Sequence, residues 1–200
     1  MNAKFFDLKQ EKQDRMINGA LKIFAANGYE HASTDDIVKE ACISKGLLFH
    51  YFESKLGVYT FAYDYCVKFL IMELSSAIDP GETSYFELLR QIEAAKMQVL
   101  RSYPHMLLFL HSCSRENYPE VVLAVEATKN DYETAIETIM KKADMTVFDD
   151  KKNVKEIIRM LHYSIDGVMS DSLSEGAFNA EMNYEECINF INLAEKLLLK

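Results

Sequence analysis

Residues 33–55 carry side chains whose types and spacing suit chemistry on a nucleic acid. Lys45 and Lys55 flank His50 and Tyr51 within this stretch. Cationic and hydrogen-bonding side chains of this kind contact the phosphate oxygens and base edges of duplex DNA. We therefore interpret the stretch as a candidate DNA-reading element.

Two short helices joined by a tight turn would position these side chains. Ser33 and Asp36 have the spacing of a capping box, which predicts that the first helix begins directly after Ser33. Ser44 can cap a second helix of about two turns, with Leu48 and Phe52 on its buried face. So short a helix is stable only when it packs on its neighbours, which suits a rigid probe presented to a groove. The other sides of the second helix carry Lys45, Leu47, Phe49 and His50.

Four motifs follow one another between residues 14 and 59. They are Ala26-Asn27-Gly28-Tyr29, Ser33-Thr34-Asp35-Asp36-Ile37, Ala41-Cys42-Ile43-Ser44-Lys45-Gly46 and His50-Tyr51-Phe52-Glu53-Ser54-Lys55. In this order they resemble the amino-terminal domain of TetR-family transcriptional regulators. The resemblance covers about the first quarter of the chain, because the family's later helices are too variable to be identified by motif.

The resemblance implies an all-α fold of about nine helices, with an amino-terminal three-helix helix-turn-helix domain before a larger helical domain for ligand binding and dimerisation. We place these domains at 1–55 and 56–200. Apolar residues at helical spacing predict the helices outside the hairpin. Their predicted bounds are 9–26, 55–78, 85–102, 104–114, 119–143, 153–174 and 184–199, with a turn at 79–84 and a loop at 144–150.

The resemblance also implies roles for individual residues. Thr34 and Lys55 correspond to phosphate-contacting positions. His50 and Tyr51 correspond to contacts with the groove wall or phosphates. Lys45–Leu47 correspond to the start of the recognition helix, which reads bases in the major groove. The predicted DNA-binding set is Ser33, Thr34, Ser44, Lys45, Gly46, Leu47, Phe49, His50, Tyr51 and Lys55.

Three residues depart from the family pattern. Cys42 stands where a glycine usually makes the turn, so its backbone must tolerate a strained conformation. Leu47 replaces a small or hydroxylated residue and offers apolar contact, for instance to a thymine methyl. Phe49 lacks the phenol oxygen usual at its position. We therefore expect readout by methyl contact and DNA shape, with fewer hydrogen bonds than is typical.

The net charge of −9 is distributed unevenly along the chain. Residues 1–55 hold eight basic and eight acidic side chains, whereas the remaining 145 residues hold 14 basic and 23 acidic ones. Phosphate should therefore meet only the amino-terminal end. Because this end is neutral overall, binding depends on the placement of single lysines, and we expect modest non-specific affinity.

The composition is that of an ordinary globular protein, with 49% apolar residues and three prolines among 200 residues. No apolar run is long enough to span a bilayer, and the amino terminus lacks the features of a secretory signal, so we expect a cytoplasmic protein. Cys42, Cys66, Cys113 and Cys187 have no paired spacing, which argues against a disulfide scaffold or a zinc site. We expect buried reduced thiols and no cofactor, although a redox-sensing cysteine pair stays open.

In the family that the chain resembles, the last two helices form a four-helix interface with a second copy. Here their apolar faces offer more hydrophobic surface than one chain would leave in water. We expect a homodimer on a palindromic operator, which a two-fold protein matches, while packing of these faces inside the monomer is the alternative. The predicted interface consists of Ile158, Leu161, Ile165, Val168, Met169, Leu173, Ile188, Ile191, Ala194 and Leu198.

The resemblance also implies a ligand sensor, and aromatic, thioether and imidazole groups on the middle helices are candidates for its lining. A largely apolar small-molecule effector with one or two polar anchors would suit them, although such a pattern is also typical of plain core. Its binding would shift the dimer away from DNA. The predicted ligand-binding residues are Tyr63, Phe69, Met72, Met97, Tyr103, Met106, Phe109, His111 and His162.

Enzyme signatures do not occur in the sequence. It contains no H-E-x-x-H motif, no phosphate-binding glycine loop and no G-x-S-x-G elbow. We therefore predict a ligand-responsive transcriptional regulator, most simply a repressor, rather than an enzyme. The alternative is a helical protein-binding adaptor that has lost DNA binding through Cys42, Leu47 and Phe49.

Overall fold

The computed structural model describes residues 3–149, 153–175 and 179–199, and for residues 3 and 173–175 it describes the backbone alone. All regular elements of this described part are helical, as predicted. Short 3₁₀ helices lie at Ala3–Asp7 and at Met145–Val147, the latter inside the predicted loop. The α-helices are α1 (Gln10–His31), α2 (Thr34–Glu40), α3 (Lys45–Phe52), α4 (Lys55–Ala77), α5 (Tyr85–Ser102), α6 (Met106–Ser114), α7 (Pro119–Met140), α8 (Val154–Glu175) and α9 (Ala180–Leu198).

Helix bounds agree best with the prediction where a cap or a turn sequence marks them. Helix α5 begins and ends at the predicted residues, and α2, α3 and α4 begin where their serine caps predict. Helix α9 begins four residues earlier than predicted, because Oδ1 of Asn179 accepts a hydrogen bond from N of Met182 (3.0 Å). The helix that begins at Gln10 is interrupted close to its predicted end near residue 26. Helical turns resume after a single non-helical residue, Gly28, whose φ is +67°.

The described chain divides into two compact units. The first comprises the chain through Phe69 together with Ser102–Tyr132, and the second comprises Leu70–Arg101 together with the chain from Glu133 onward. This division differs from the predicted 1–55 and 56–200, because α6 packs along α1 and so belongs with the amino-terminal helices. A boundary drawn after the helix-turn-helix motif separates residues that share a core.

An aromatic cluster forms the core of the first unit. The rings of Phe24 and Tyr59 have centroids 4.9 Å apart, and Phe109 of α6 lies 5.2 Å from Tyr59. All three side chains are buried. Edge-to-face ring pairs of this kind stabilise a core beyond the area that they bury. The cluster fixes α6 against α1 and α4, and these helices in turn support the motif at residues 33–55.

Packing of α8 against α9 dominates the second unit, together with a polar link from Arg90 on α5 to Glu195 and Asn192 on α9. This packing corrects half of the predicted dimer interface. Leu161, Val168, Ile191, Ala194 and Leu198 are buried within the single chain, so they have almost no surface left for a partner. Ile158, Ile165, Met169 and Ile188 stay partly exposed, and the side chain of Leu173 lies outside the described residues.

The expectation of buried thiols holds for Cys66 and Cys187 but is wrong for Cys42, which is exposed in the turn between α2 and α3. Burial raises the pKa of the Cys66 and Cys113 thiols, and it raises the pKa of Cys187 to about 12. These three thiols are therefore protonated near neutral pH and react slowly, because the thiolate is the nucleophile.

Among the described residues, no helix combines the length and the apolar character that crossing a membrane requires.

Candidate nucleic-acid interface

Helix α2 begins at the serine cap that the sequence predicts. The Ser33 hydroxyl accepts a hydrogen bond from N of Asp35 at 3.1 Å. A capping box would place this bond on N of Asp36, so the cap uses the N–H one residue earlier. The carboxylates of Asp35 and Asp36 stand in the first turn, where the helix dipole favours negative charge. The position of Thr34, a predicted phosphate contact, follows from this cap.

The turn from α2 to α3 takes the strained conformation that Cys42 predicts. Its φ is +52°, a region that glycine occupies easily and other residues rarely. N of Ile43 donates to O of Val38 at 3.0 Å and closes the turn. The Ser44 hydroxyl then accepts from N of Leu47 at 3.2 Å and starts α3. The helical hairpin therefore forms without the usual glycine.

Helix α3 turns its apolar face inward and its amino-terminal end outward. Leu48 and Phe52 are buried, whereas Lys45, Gly46 and His50 are exposed. Leu47, Phe49 and Tyr51 are partly exposed on the sides between these faces. An exposed amino-terminal end with mixed polar and apolar side chains is the part of a recognition helix that contacts base edges.

The Lys45 ammonium forms an ion pair across the turn. Its Nζ lies 2.9 Å from Oδ1 and 3.0 Å from Oδ2 of Asp35, and both side chains are more than half exposed. Exposed pairs of this kind contribute less than about 1 kcal/mol to stability. The pair can therefore open at little cost when a phosphate or a base approaches Lys45.

The junction of α3 and α4 requires a glycine, and this requirement was not predicted from the sequence. Glu53 ends α3 with φ +62°, and the Ser54 hydroxyl caps α4 by accepting from N of Gly57 at 3.0 Å. A Cβ atom on Gly57 would lie 1.9 Å from the carbonyl oxygen of Phe52. The junction can take this form only with a glycine at 57. The sequence gives no signal for this close approach beyond the glycine itself.

Lys55 has partners within the chain. Its Nζ donates to the carbonyl oxygens of Glu30 and Ala32, each at 3.1 Å, and lies 4.5 Å from the ring centroid of Tyr29. The Tyr29 hydroxyl donates to Oε1 of Glu120 at 2.9 Å, and burial with this carboxylate raises the pKa of Tyr29 to about 12. Lys55 thus ties the start of α4 to the end of α1. The phosphate contact predicted for Lys55 remains a prediction in addition to this structural role.

The amino-terminal 3₁₀ helix is the second feature that sequence reasoning missed. Phe5 is fully buried, with ring-centroid distances of 5.9 Å to Tyr51, 5.5 Å to Phe52 and 4.7 Å to Phe61. The segment therefore packs on the inner face of α3 and on α4. Two adjacent phenylalanines close to the start of the chain were the available sequence signal.

The family described as bacterial regulatory proteins of the tetR family matches residues 16–59, which run from α1 to the first turn of α4. The match includes the capped hairpin, the turn at Cys42 and the whole of α3. Residues 16–59 are therefore similar to the amino-terminal domain of the tetR family.

Two curated relatives match the amino-terminal part. An uncharacterised HTH-type transcriptional regulator of Bacillus subtilis, YuxN, is 36% identical over 80 residues, which are 38% of this chain and 27% of the relative. The negative regulator of the biofilm operon icaADBC in Staphylococcus aureus, IcaR, is 33% identical over 58 residues, 29% of this chain and 31% of the relative. The chain thus spans about a quarter to a third of the length of the curated relatives it matches.

Solved structures share the TetR fold over nearly the whole chain. The fatty acid degradation regulator FadR of Bacillus halodurans has a TM-score of 0.70 and 16% identity, covering 94% of this chain and 96% of that one. The regulator PfmR of Thermus thermophilus has a TM-score of 0.63 and 21% identity, covering 91% and 97%. FadR of Bacillus subtilis, solved in complex with stearoyl-CoA, has a TM-score of 0.66 and 15% identity, covering 90% and 96%.

The structure distributes the predicted ligand-binding residues of this chain over both units. In the first unit the Phe69 and Tyr103 rings pack edge to face with centroids 5.2 Å apart, and the Tyr103 hydroxyl donates to Oδ1 of Asp14 at 3.0 Å. Met106 and Phe109 are fully buried and Tyr63 is buried, as core residues are, while His111 is half-buried. The second unit contains Met72, Met97 and His162.

Two of the second-unit residues have distinct surroundings. The Met72 side chain is half exposed, which makes it a weak candidate for a closed pocket. Nε2 of His162 lies 3.1 Å from the Tyr85 hydroxyl. Partial burial, and then the nearby Lys96, lower the pKa of His162, which favours the neutral imidazole as a hydrogen-bonding anchor. All nine residues stay predictions as ligand contacts.

Replacing Lys55 by Met should lower the free energy of unfolding by about 1–3 kcal/mol, because two backbone carbonyl oxygens lose a charged donor. Urea denaturation measures this change. Lys68→Met on the same helix is the matched control, since the exposed Lys68 has a 4.0 Å ion pair with Asp64 and should cost little. An unchanged unfolding midpoint for Lys55→Met would contradict the tie between α4 and α1.

Proposed function

We propose that this chain is a TetR-family, DNA-binding transcriptional repressor that acts as a homodimer on a palindromic operator and is released by a largely apolar small molecule. The observation that carries the DNA-binding part is the exposed amino-terminal end of α3, held outward by two serine caps and a strained turn. Repression is inferred from IcaR, a negative regulator. A protein acting on the chromosome would work in the cytoplasm.

Exposed apolar side chains on the last helix support dimerisation. Met182, Leu193 and Leu197 are 65%, 53% and 46% exposed, and they repeat at helical spacing along one side of α9. On α8, Met160 and Tyr163 are likewise exposed and border a shallow depression of ≈ 380 Å³. Large exposed apolar patches rarely stay in water on a single chain. We therefore propose that this outer surface of α8 and α9 binds a second copy, in place of the five residues that are buried in the monomer.

An apolar effector is supported by the fold neighbour FadR of Bacillus subtilis, which was solved with stearoyl-CoA. The predicted ligand set of this chain is rich in aromatic and thioether side chains, which adapt to an apolar ligand. Effector binding would lower DNA affinity by at most the ratio of the effector's affinities for the released state and the DNA-binding state. Thermal-shift measurements with acyl-CoA thioesters and free fatty acids of graded chain length would test this proposal.

Replacing Lys45 by Ala should weaken binding to a duplex that the wild-type protein selects from a randomised pool. It should also reduce the slope of log affinity against log salt by about one per protomer, because one phosphate or base contact of a cation is lost. Fluorescence anisotropy over a salt series measures both. The unfolding free energy should stay unchanged, because the partner Asp35 is exposed.

Lys22→Ala is the matched control, since Lys22 forms a similar exposed ion pair with Glu40 at 2.7 Å but lies on α1. Its affinity and salt slope should equal those of the wild type. Equal values for Lys45→Ala would overturn the role of Lys45. A wild-type protein that selects no duplex and shows no salt-dependent binding would favour the helical adaptor instead.

A further inference from the structure

The amino-terminal segment, residues 3–8, is anchored on both sides. The Phe5 ring is fully buried against Tyr51 and Phe52 of α3 and Phe61 of α4. Behind it, the Gln13 side chain donates from Nε2 to the carbonyl oxygens of Phe6 at 3.2 Å and Leu8 at 2.8 Å. Gln13 is itself 94% buried, since its relative exposure is 6%. The segment thus connects α1 to α3 through ring contacts and side-chain hydrogen bonds.

These contacts add a third anchor to α3. With eight residues, α3 has only two buried anchors of its own, Leu48 and Phe52. Two anchors one turn apart on a helix resist its sliding but resist rotation about its own axis poorly, because both lie on a single line along the helix. Phe5 contacts Tyr51, which lies off that line, with the two rings nearly perpendicular at 84°. A third contact away from the axis line resists rotation.

We propose that the segment is a positioning element for DNA reading, with Phe5 as a positioning residue that fixes the rotation of α3 about its axis. The inference rests on the proposed function, because it concerns operator binding. Rotation of α3 would move Lys45 and Leu47 relative to the base edges while leaving the charges of the domain in place. Selective binding therefore depends on Phe5, whereas charge-driven binding to any duplex does not.

The size of the effect follows from the population of the binding-competent orientation. The apparent affinity falls by the fraction of time that α3 is correctly oriented. If loss of Phe5 leaves that fraction at about one tenth, each protomer contributes about a tenfold loss and a dimer about a hundredfold loss of affinity for its selected duplex. Non-specific affinity, which comes from phosphate contacts, should change by less than about twofold.

The experiment compares Phe5→Ala, Phe5→Leu and the wild type on two probes. One probe is a duplex selected by the wild type from a randomised pool, and the other is a duplex of the same base composition in scrambled order. Phe5→Ala should lose about tenfold to a hundredfold on the selected probe and keep its affinity for the scrambled one. Phe5→Leu should recover most of the loss, because it restores a buried apolar side chain of similar reach.

Two outcomes for a folded Phe5→Ala protein overturn the inference. Equal losses on both probes mean that Phe5 supports folding only, and unchanged affinity on the selected probe means that α3 is oriented without it. If Phe5→Ala does not fold, Gln13→Leu is measured by the same criterion, since it keeps the ring and removes the two hydrogen bonds. A wild type that selects no duplex removes the proposed function and this inference together, whereas the other failures leave the proposed function intact.

Discussion

Replacing Gly57 by Ala should destabilise the protein by about 3 kcal/mol and abolish selective DNA binding. The new Cβ atom would lie 1.9 Å from the carbonyl oxygen of Phe52, so the backbone of either α3 or α4 must move. Overpacking against backbone is costly because no flexible side chain can give way. Because α3 ends at Phe52, the shift moves the proposed recognition helix itself. Urea denaturation and binding to the selected duplex measure the two effects.

Gly46→Ala is the matched control for stability. Gly46 lies in the first turn of α3, and a Cβ atom there meets no atom within 4 Å. Its unfolding free energy should be unchanged or rise by up to about 1 kcal/mol, as for other glycines replaced by alanine in helices. A Gly57→Ala protein as stable as Gly46→Ala would contradict the geometry at the junction of α3 and α4.

Replacing both Leu193 and Leu197 by Glu should convert the proposed dimer into a monomer. The two side chains are 53% and 46% exposed and lie one turn apart on the outer side of α9. Two buried carboxylates per protomer at an apolar interface have no partner to offset their desolvation. Because a dimer holds both half-sites at once, its loss should weaken operator binding by about a hundredfold or more. Analytical ultracentrifugation and anisotropy titration measure the two effects.

Leu123→Glu is the control for surface charge, since Leu123 on α7 is 75% exposed and outside the proposed interface. It should leave the sedimentation coefficient and the affinity unchanged. If the double variant of α9 stays dimeric while Leu123→Glu dissociates, the interface lies on α7. If neither variant changes a wild-type dimer, the proposed surface on α9 is wrong.

Local sequence signals predicted the motif at residues 33–55 well, because its helix starts are set by residues close in the chain. Ser33 and Ser44 form their caps with residues two and three positions away. The strain at Cys42 could also be inferred, since a turn that normally needs glycine forces φ to be positive. These features depend on neighbours in sequence, which are visible without a fold.

Contacts between distant segments could not be inferred in this way. Phe5 meets residues 51–61, Lys55 meets the carbonyl oxygens of Glu30 and Ala32, and Gly57 approaches the end of α3. In each case the partner is chosen by tertiary packing rather than by spacing. A buried ring, a tethered lysine and a crowded glycine look the same in sequence as ordinary helix residues.

The predicted dimer interface shows a different limit of prediction from sequence. Helix α9 is apolar on more than one side, and periodicity identified the side with Ile191, Ala194 and Leu198. That side packs within the chain, whereas Leu193 and Leu197 remain exposed. A hydrophobic pattern indicates that a face of a helix is buried, but it does not distinguish burial in the monomer from burial in an assembly.

Methylation protection on the selected duplex tests most directly whether the exposed end of α3 enters the major groove. Dimethyl sulfate modifies N7 of guanine, which lies in that groove. The wild-type protein should protect guanines in two symmetric patches whose centres are about 10 base pairs, or a multiple of that spacing, apart. Gly57→Ala should lose this protection. Binding without protection of guanine N7 on any selected duplex that has guanine in both half-sites would contradict the account.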